Sequence, residues 1–429
     1  MPLVAPSRQF RIGFDARMVY YRQAGIGQYI LNLLDELVAL QQQQADFKLL
    51  VLQSRREKRS PSQWLFGKPA SGEGSSSGHL SLPTPTLEIP NRKIWTPPHH
   101  RLEQLVLPFE TTWLGLDVLH SPDFVPPLMR PRLQGGRLGH FGSVITIHDL
   151  AFLKFPYLLT AESRRYYGQV KRAAHSAERI IAVSQATAYD IENELGIDPA
   201  KIRVVYEAAN PVFQPLDQPA LDALTQSLPA LMAKLEAANL SLQQPFILFV
   251  STLEPRKNLP TLLKALRRVL DNLPPTEEKP RLVIAGREGW LYEDIYKLAN
   301  KLNLRANREL VWLGSVSTEE LIWLYNRAAC LALPTLYEGF GLPPLEALAC
   351  GTPVLAANTS SLPEVVGTHG TLIDPQDVGA WAVALEAFWI TRELRKAQVR
   401  EEGPAWTKNF SWQRAATETL TVYREVLRR

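Results

Sequence analysis

Short apolar runs alternate with helical patterns along most of this chain, and the series starts over once. Such runs, separated by helices, point to parallel sheets covered on both faces. The first series reads "FRIGFD", "FKLLVL", "DVLH", "SVITIH", "RIIAVS" and "IRVVY"; the second begins at "FILFVS" and continues through "RLVIAG", "ELVWLG", "CLALP" and "TPVLAA". The restart predicts an α/β protein of two doubly wound domains rather than one sheet. The length of 429 residues agrees, because single cores stop growing at about 250–300 residues. The expected division is a first domain over 1–207, a Pro-, Leu- and Gln-rich linker with some helix over 208–244, a second domain over 245–407 and a terminal helix over 408–429. That helix places Trp412, Ala416, Leu420, Tyr423 and Leu427 on one face, a stripe that must pack on something, with the first domain as candidate. From about 54 to 100 the chain holds "PASGEGSSSGHLSLPTPT", poor material for a core, and reads as an exposed, mobile excursion.

With 45% hydrophobic and 21% charged residues, the composition is that of a globular protein in water. A net charge of +4 favours anionic ligands or an anionic membrane surface and is too small to argue for nucleic acid. Cys330 and Cys350 form neither a metal clip nor a disulfide framework, which fits a reducing cytoplasmic compartment. The sequence contains no apolar stretch long enough for a signal peptide or a membrane span. Contact with the inner membrane face, if made, is assigned to the basic and aromatic stretch "RRYYGQVKRAAH".

In open α/β sheets ligands bind beyond the carboxyl ends of the strands, so polar residues there carry weight. After "CLALP" comes "YEGFGLPPLEALACG". Gly339 and Gly341 let the backbone approach a ligand closely, and the helix start that follows favours an anion. Glu338 and Glu346 suit sugar hydroxyls rather than phosphate. After "FILFVS", Arg256 and Lys257 can reach a diphosphate, and Asn258 can cap the next helix. In the first domain His148 ends a strand beside Asp149, and His120 ends another. Gly25 and Gly27, in "AGIGQY", make a poor dinucleotide fingerprint, since Ile30 stands where a third glycine belongs; they read as a flexible loop approaching a ligand.

Taken together, "GIGQY", "LHSPDFVPP", "TIHDLAFLKFP", "AVSQATAYDI", "STLEPRKNL", "LVIAG", "LGSVSTEEL", "YEGFGLPPLEALACGTPV" and "SSLPEVVG" resemble the retaining glycosyltransferases of family 4, and among them bacterial mannosyltransferase-like members of polysaccharide biosynthesis. The resemblance implies the GT-B architecture, two Rossmann-like domains facing across a cleft, with the donor held by the second. It implies that Glu338 addresses the transferred sugar and Glu346 the ribose. Gly339, Phe340, Gly341 and Leu342 would contact phosphate and sugar through the main chain, Arg256 and Lys257 would hold the diphosphate, and His148 would stand near the reacting sugar. Many members carry Gly-Arg where this chain has Ser251 and Thr252.

The implied function is transfer of a hexose from a nucleoside-diphosphate sugar, GDP-mannose before UDP-sugars, to a glycan or lipid-linked acceptor with retention. No metal or cofactor is expected, since no Asp-x-Asp pair occurs and basic residues stand at the strand end instead. The other readings are a sugar-nucleotide epimerase or a phosphorylase of the same fold, and a non-catalytic nucleotide-sugar-binding protein.

Overall fold

The computed structural model describes residues 9–21, 24–65, 89–98, 100, 102–124, 126–128, 141–158 and 167–428. They fall into two compact units, one drawn from 1–207 and 412–429, the other from 208–411.

The first unit is built on β1 (Phe10–Asp15), β2 (Phe47–Ser54), β3 (Asn91–Ile94), β4 (Val118–Ser121), β5 (Gly142–Ile147), β6 (Arg179–Ala182) and β7 (Ile202–Val204). All pair in parallel, in the order β3-β2-β1-β4-β5-β6-β7. Ile12 lies opposite Leu49 on one side and Val118 on the other, which sets the register at the centre of the sheet. The terminal helix, Trp412–Leu427, belongs to this unit. It buries Trp412, Ala416, Leu420 and Tyr423 but exposes Leu427; Val426 takes the last inward position. Glu425 on the same helix pairs with Arg179 at 2.7 Å and Arg203 at 2.9 Å.

The second unit carries β8 (Ile247–Val250), β9 (Leu282–Ala285), β10 (Leu310–Gly314), β11 (Cys330–Leu333), β12 (Val354–Ala357) and β13 (Thr371–Ile373). They are again parallel, in the order β10-β9-β8-β11-β12-β13. The helix Leu259–Asn272 shows how the sheet is covered. Leu259, Leu262, Leu263, Leu266, Val269 and Leu270 recur at helical spacing and are buried, and each such leucine contributes about 1.5–3 kcal/mol of transfer free energy.

Two details go beyond the sequence reading. The helix expected within 208–244 is present as Gln218–Ser227 and Pro229–Ala237, and these bury Leu221, Leu231 and Leu235 in the core of the second unit rather than forming a free connector. Within the supposed excursion, Asn91–Ile94 adds an edge strand to β2, with Ile94 in the core; an edge strand with three exposed residues has no apolar pattern to read. The Ser- and Gly-rich stretch itself, 69–86, lies outside the described residues.

Candidate functional site

In the second unit the strand order reverses between β8 and β11, and the two loops leaving their carboxyl ends are bound to each other. Leu336 N donates to Arg256 O at 2.8 Å, Thr335 Oγ1 lies 3.2 Å from the same carbonyl, and Arg256 Nη1 donates to Tyr337 O at 2.8 Å. Asn258 stands where a helix cap was expected, yet its side chain does not cap the helix. Its amide donates to Pro334 O at 2.9 Å and Pro375 O at 2.7 Å, pinning three loops together.

This packing brings Arg256, Lys257 and Glu338 into one cluster. Lys257 Nζ donates to both Glu338 oxygens, at 2.7 and 2.9 Å, and both residues are 9% exposed. Arg256 Nη1 is 3.6 Å from Glu338 Oε2, while its Nε and Nη2 engage Glu254 at 3.0 and 2.9 Å. Burial pushes the Glu338 carboxyl up, but Lys257 and Arg256 outweigh it and hold the group below the usual carboxylate range. Two cations thus face two carboxylates and the cluster is close to neutral. The gross attraction of one cation for a phosphate at about 4 Å is about 4 kcal/mol at an effective dielectric near 20; here it is partly spent on Glu338 until a ligand competes for Lys257.

The Gly-Phe-Gly loop follows Glu338 directly. Gly341 has φ +106°, which favours glycine, and a Cβ there would also lie 2.7 Å from Leu362 Cδ2 and have to displace that methyl. It opens the helix Leu342–Ala349, whose start has no side-chain cap, and Pro343 and Pro344 add no N–H there. Ser361, fully buried, shares its hydroxyl proton between Phe340 O at 2.6 Å and Glu338 O at 3.1 Å. Ser360, at φ +47°, accepts from Glu338 N at 2.8 Å. These two serines fix the loop and were not singled out in the sequence, although "SSLPEVVG" was; Glu254 carried no signal at all.

Glu346 stands apart from the cluster. Its Oε2 accepts from Tyr325 Oη at 2.9 Å, and burial pushes its carboxyl up to about 7 against that hydrogen bond. The cysteines are inert: both are free and buried, burial raises both thiols, and Cys330 reaches about 12.

In the first unit His148 leaves β5 with both ring nitrogens engaged. Nε2 lies 2.9 Å from Pro122 O and Nδ1 3.0 Å from Glu207 Oε1. Both partners are acceptors, so both nitrogens donate and the ring is an imidazolium, not a base. Burial opposes this charge, and the hydrogen bond and charge of Glu207 overcome it, raising the pKa. Because the folded value is the higher one, the pair stabilises fully below pH about 6.5 and fades as pH climbs through the folded pKa. Nitrogen-detected NMR should find His148 protonated at both nitrogens at pH 7, a state lost in Glu207→Gln; a neutral ring at pH 7 contradicts this.

His120 is a structural residue. It is fully buried, bonded to Tyr423 Oη at 2.6 Å and Thr146 Oγ1 at 2.8 Å, and burial, then the His148 charge, push it down to about 3. Asp149 accepts from Ala151 N at 3.0 Å, in a turn. Gly25 and Gly27 do not form a loop: they lie in the first turn of the helix Ala24–Gln43, where a Cβ at either would meet nothing within 4 Å.

The sequence model of the family described as Glycosyltransferase Family 4 matches residues 24–212, and that of Glycosyl transferases group 1 matches 233–403. The O-antigen chain mannosyltransferase B of Escherichia coli is 31% identical over 335 residues, covering 75% of this chain and 78% of that protein. Sucrose-phosphate synthase of Thermosynechococcus elongatus superposes with a TM-score of 0.66 at 18% identity, covering 97% of this chain and 99% of that chain. The HepE protein of Anabaena, solved with UDP-glucose, does so with a TM-score of 0.65 at 17% identity, covering 97% and 98%. Two parallel sheets with reversed strand order, two matching family models and a relative aligned over most of both chains lead to one conclusion: this chain belongs to glycosyltransferase family 4 and is a glycosyltransferase of the GT-B fold.

Proposed function

We propose that the chain transfers a hexose from a nucleoside-diphosphate sugar to a glycan or lipid-linked acceptor, with retention of anomeric configuration and without a metal. The observation that carries this reading is the Lys257–Glu338 pair, 2.7 Å apart at the switch point of the second unit. Lys257 and Arg256 meet the diphosphate, Glu338 the hydroxyls of the transferred sugar, and Glu346 the ribose. The backbone of Gly339, Phe340, Gly341 and Leu342 contacts phosphate and sugar, and the first-turn residues Gly25 and Gly27 leave room for backbone approach. His148 contributes positive charge rather than proton abstraction.

In the step itself the bond between the anomeric carbon and the β-phosphate oxygen breaks, and the acceptor hydroxyl adds on the face the diphosphate leaves. The hydroxyl proton passes to the departing phosphate oxygen, so no enzyme nucleophile is needed. Mannose is the favoured sugar, from the mannosyltransferase relative, and GDP-mannose the favoured donor. A UDP-sugar is the second choice, supported by the Anabaena neighbour's UDP-glucose. The reading places the chain in the cytoplasm, at the membrane face when its acceptor is lipid-linked.

Incubation with GDP-mannose and a set of UDP-sugars should release nucleoside diphosphate from one of them, and NMR of the product should show the donor's anomeric configuration. Release with inversion, or a trapped glycosyl-enzyme adduct, contradicts the proposed step. Stabilisation by a donor that is never consumed makes the chain a binding protein.

A further inference from the structure

The helix Glu103–Thr112 in the first unit is turned the wrong way round for a soluble surface. Its inward face carries Glu103, Leu107, Pro108, Thr111 and Thr112. Its outward stripe, Leu102, Leu105, Val106, Phe109 and the C-cap Trp113, is exposed at helical spacing, with Phe109 at 59% and Trp113 at 67%. Trp95, at 69%, extends the stripe across to β3. Looseness does not explain this exposure. Glu110 accepts from Trp95 N at 2.7 Å and Thr96 N at 3.2 Å, and the buried Arg17 holds Glu103 at 2.7 Å. An apolar stripe held rigidly outward is the mark of a surface with a partner.

The charges beside the stripe say which partner. Arg55 and Arg56 are exposed and line one groove with Trp95, Leu102 and Val106; Arg55 lies over the Trp95 ring at 5.3 Å, and Lys58, Arg92 and Lys93 on the same two segments are exposed as well. The carboxylates of the same segments are engaged, Glu57 with Arg59 and Glu110 with the Trp95 and Thr96 amides. The groove has a volume of about 510 Å³ and is lined by His100 as well. A second copy of the chain docked on this face would set those cations against their own images. A bilayer rich in anionic headgroups takes the apolar stripe at its interface and meets the cations with phosphate.

We propose that this face, the Leu102–Trp113 stripe with Trp95, Arg55 and Arg56, docks the protein on an anionic lipid surface. The basic and aromatic stretch favoured by the sequence is a weaker choice: in the described part, Val170, Ala173 and Ala174 are buried and only Lys171 and Arg172 with their polar neighbours face outward. The proposal does not depend on the sugar-transfer reading, because lipid binding is read without any donor.

The test is flotation of the full chain with vesicles of phosphatidylcholine alone and with phosphatidylglycerol mixed in. The wild type should float with the mixed vesicles and much less with the neutral ones. Phe109→Ser/Trp113→Ser and Arg55→Gln/Arg56→Gln should each weaken that binding at least about tenfold, with unchanged melting temperature. Equal binding to both vesicle types, or wild-type binding by either double variant, overturns the proposal. So does a wild-type dimer, measured by light scattering, that Phe109→Ser/Trp113→Ser dissociates, since a second copy would then cover the face.

Discussion

Lys257→Ala should lower turnover at least about a hundredfold, the scale seen when one group that stabilises transition-state charge is removed. Lys257 has three N–H donors, and two are on Glu338, which leaves the third for a departing phosphate oxygen. The variant also leaves the Glu338 carboxylate buried with Arg256 at 3.6 Å as its remaining ion-pair partner. Breaking one side of a buried pair costs about 3–5 kcal/mol when no other partner remains, and Arg256 moderates that cost. Stability and chemistry are separated by the double variant Lys257→Ala/Glu338→Gln, which removes both charges. Its melting temperature should return toward the wild-type value while turnover stays low. Recovery of turnover along with stability would make the pair a structural tie and nothing more.

The second large effect is a pH dependence carried by Glu346. Its carboxyl rises from 4.5 to about 7 in the folded protein, by burial. A folded value above the unfolded one means that the protonated form is favoured on folding. The resulting stability is fully present below about pH 4.5 and is lost as pH climbs through 7. At 1.36 kcal/mol per pKa unit a rise from 4.5 to about 7 sets an upper limit of about 3.4 kcal/mol, reduced by the solvent that reaches its partly exposed side chain. Melting curves from pH 5 to 8.5 should therefore show Glu346→Gln gaining on the wild type above neutrality. Parallel curves for the two proteins would remove the perturbed carboxyl. If Glu346 also accepts from ribose hydroxyls, donor affinity should improve as pH rises through 7 in the wild type and stay flat in Glu346→Gln.

The parts of this chain that were legible in the sequence are those encoded locally. A buried parallel strand is a short apolar run, and a strand-end loop before a helix is a change of pattern, so β1, β2, β4–β12 and the positions of Lys257 and Glu338 could be read directly. The edge strand Asn91–Ile94 and the three-residue Thr371–Ile373 left too little apolar signal. Contacts between distant segments were harder still. Glu207 meets His148 across 59 residues, and Ser361 reaches Phe340 across 21; no spacing rule forecasts either. The charge state of His148 followed only from its two acceptors. The same is true of Glu254, whose grip on Arg256 turns a cluster read as cationic into one close to neutral.

The central claim is that the β8–β11 switch point grips a nucleoside diphosphate through Lys257. Calorimetric titration of the full chain with GDP and UDP tests it most directly, with Lys257→Ala/Glu338→Gln alongside the wild type. The account predicts saturable binding of one of the two to the wild type, weakened at least about tenfold in the variant, or about 1.4 kcal/mol. Equal affinity in the two proteins, or no binding of either nucleotide to the wild type, would contradict it.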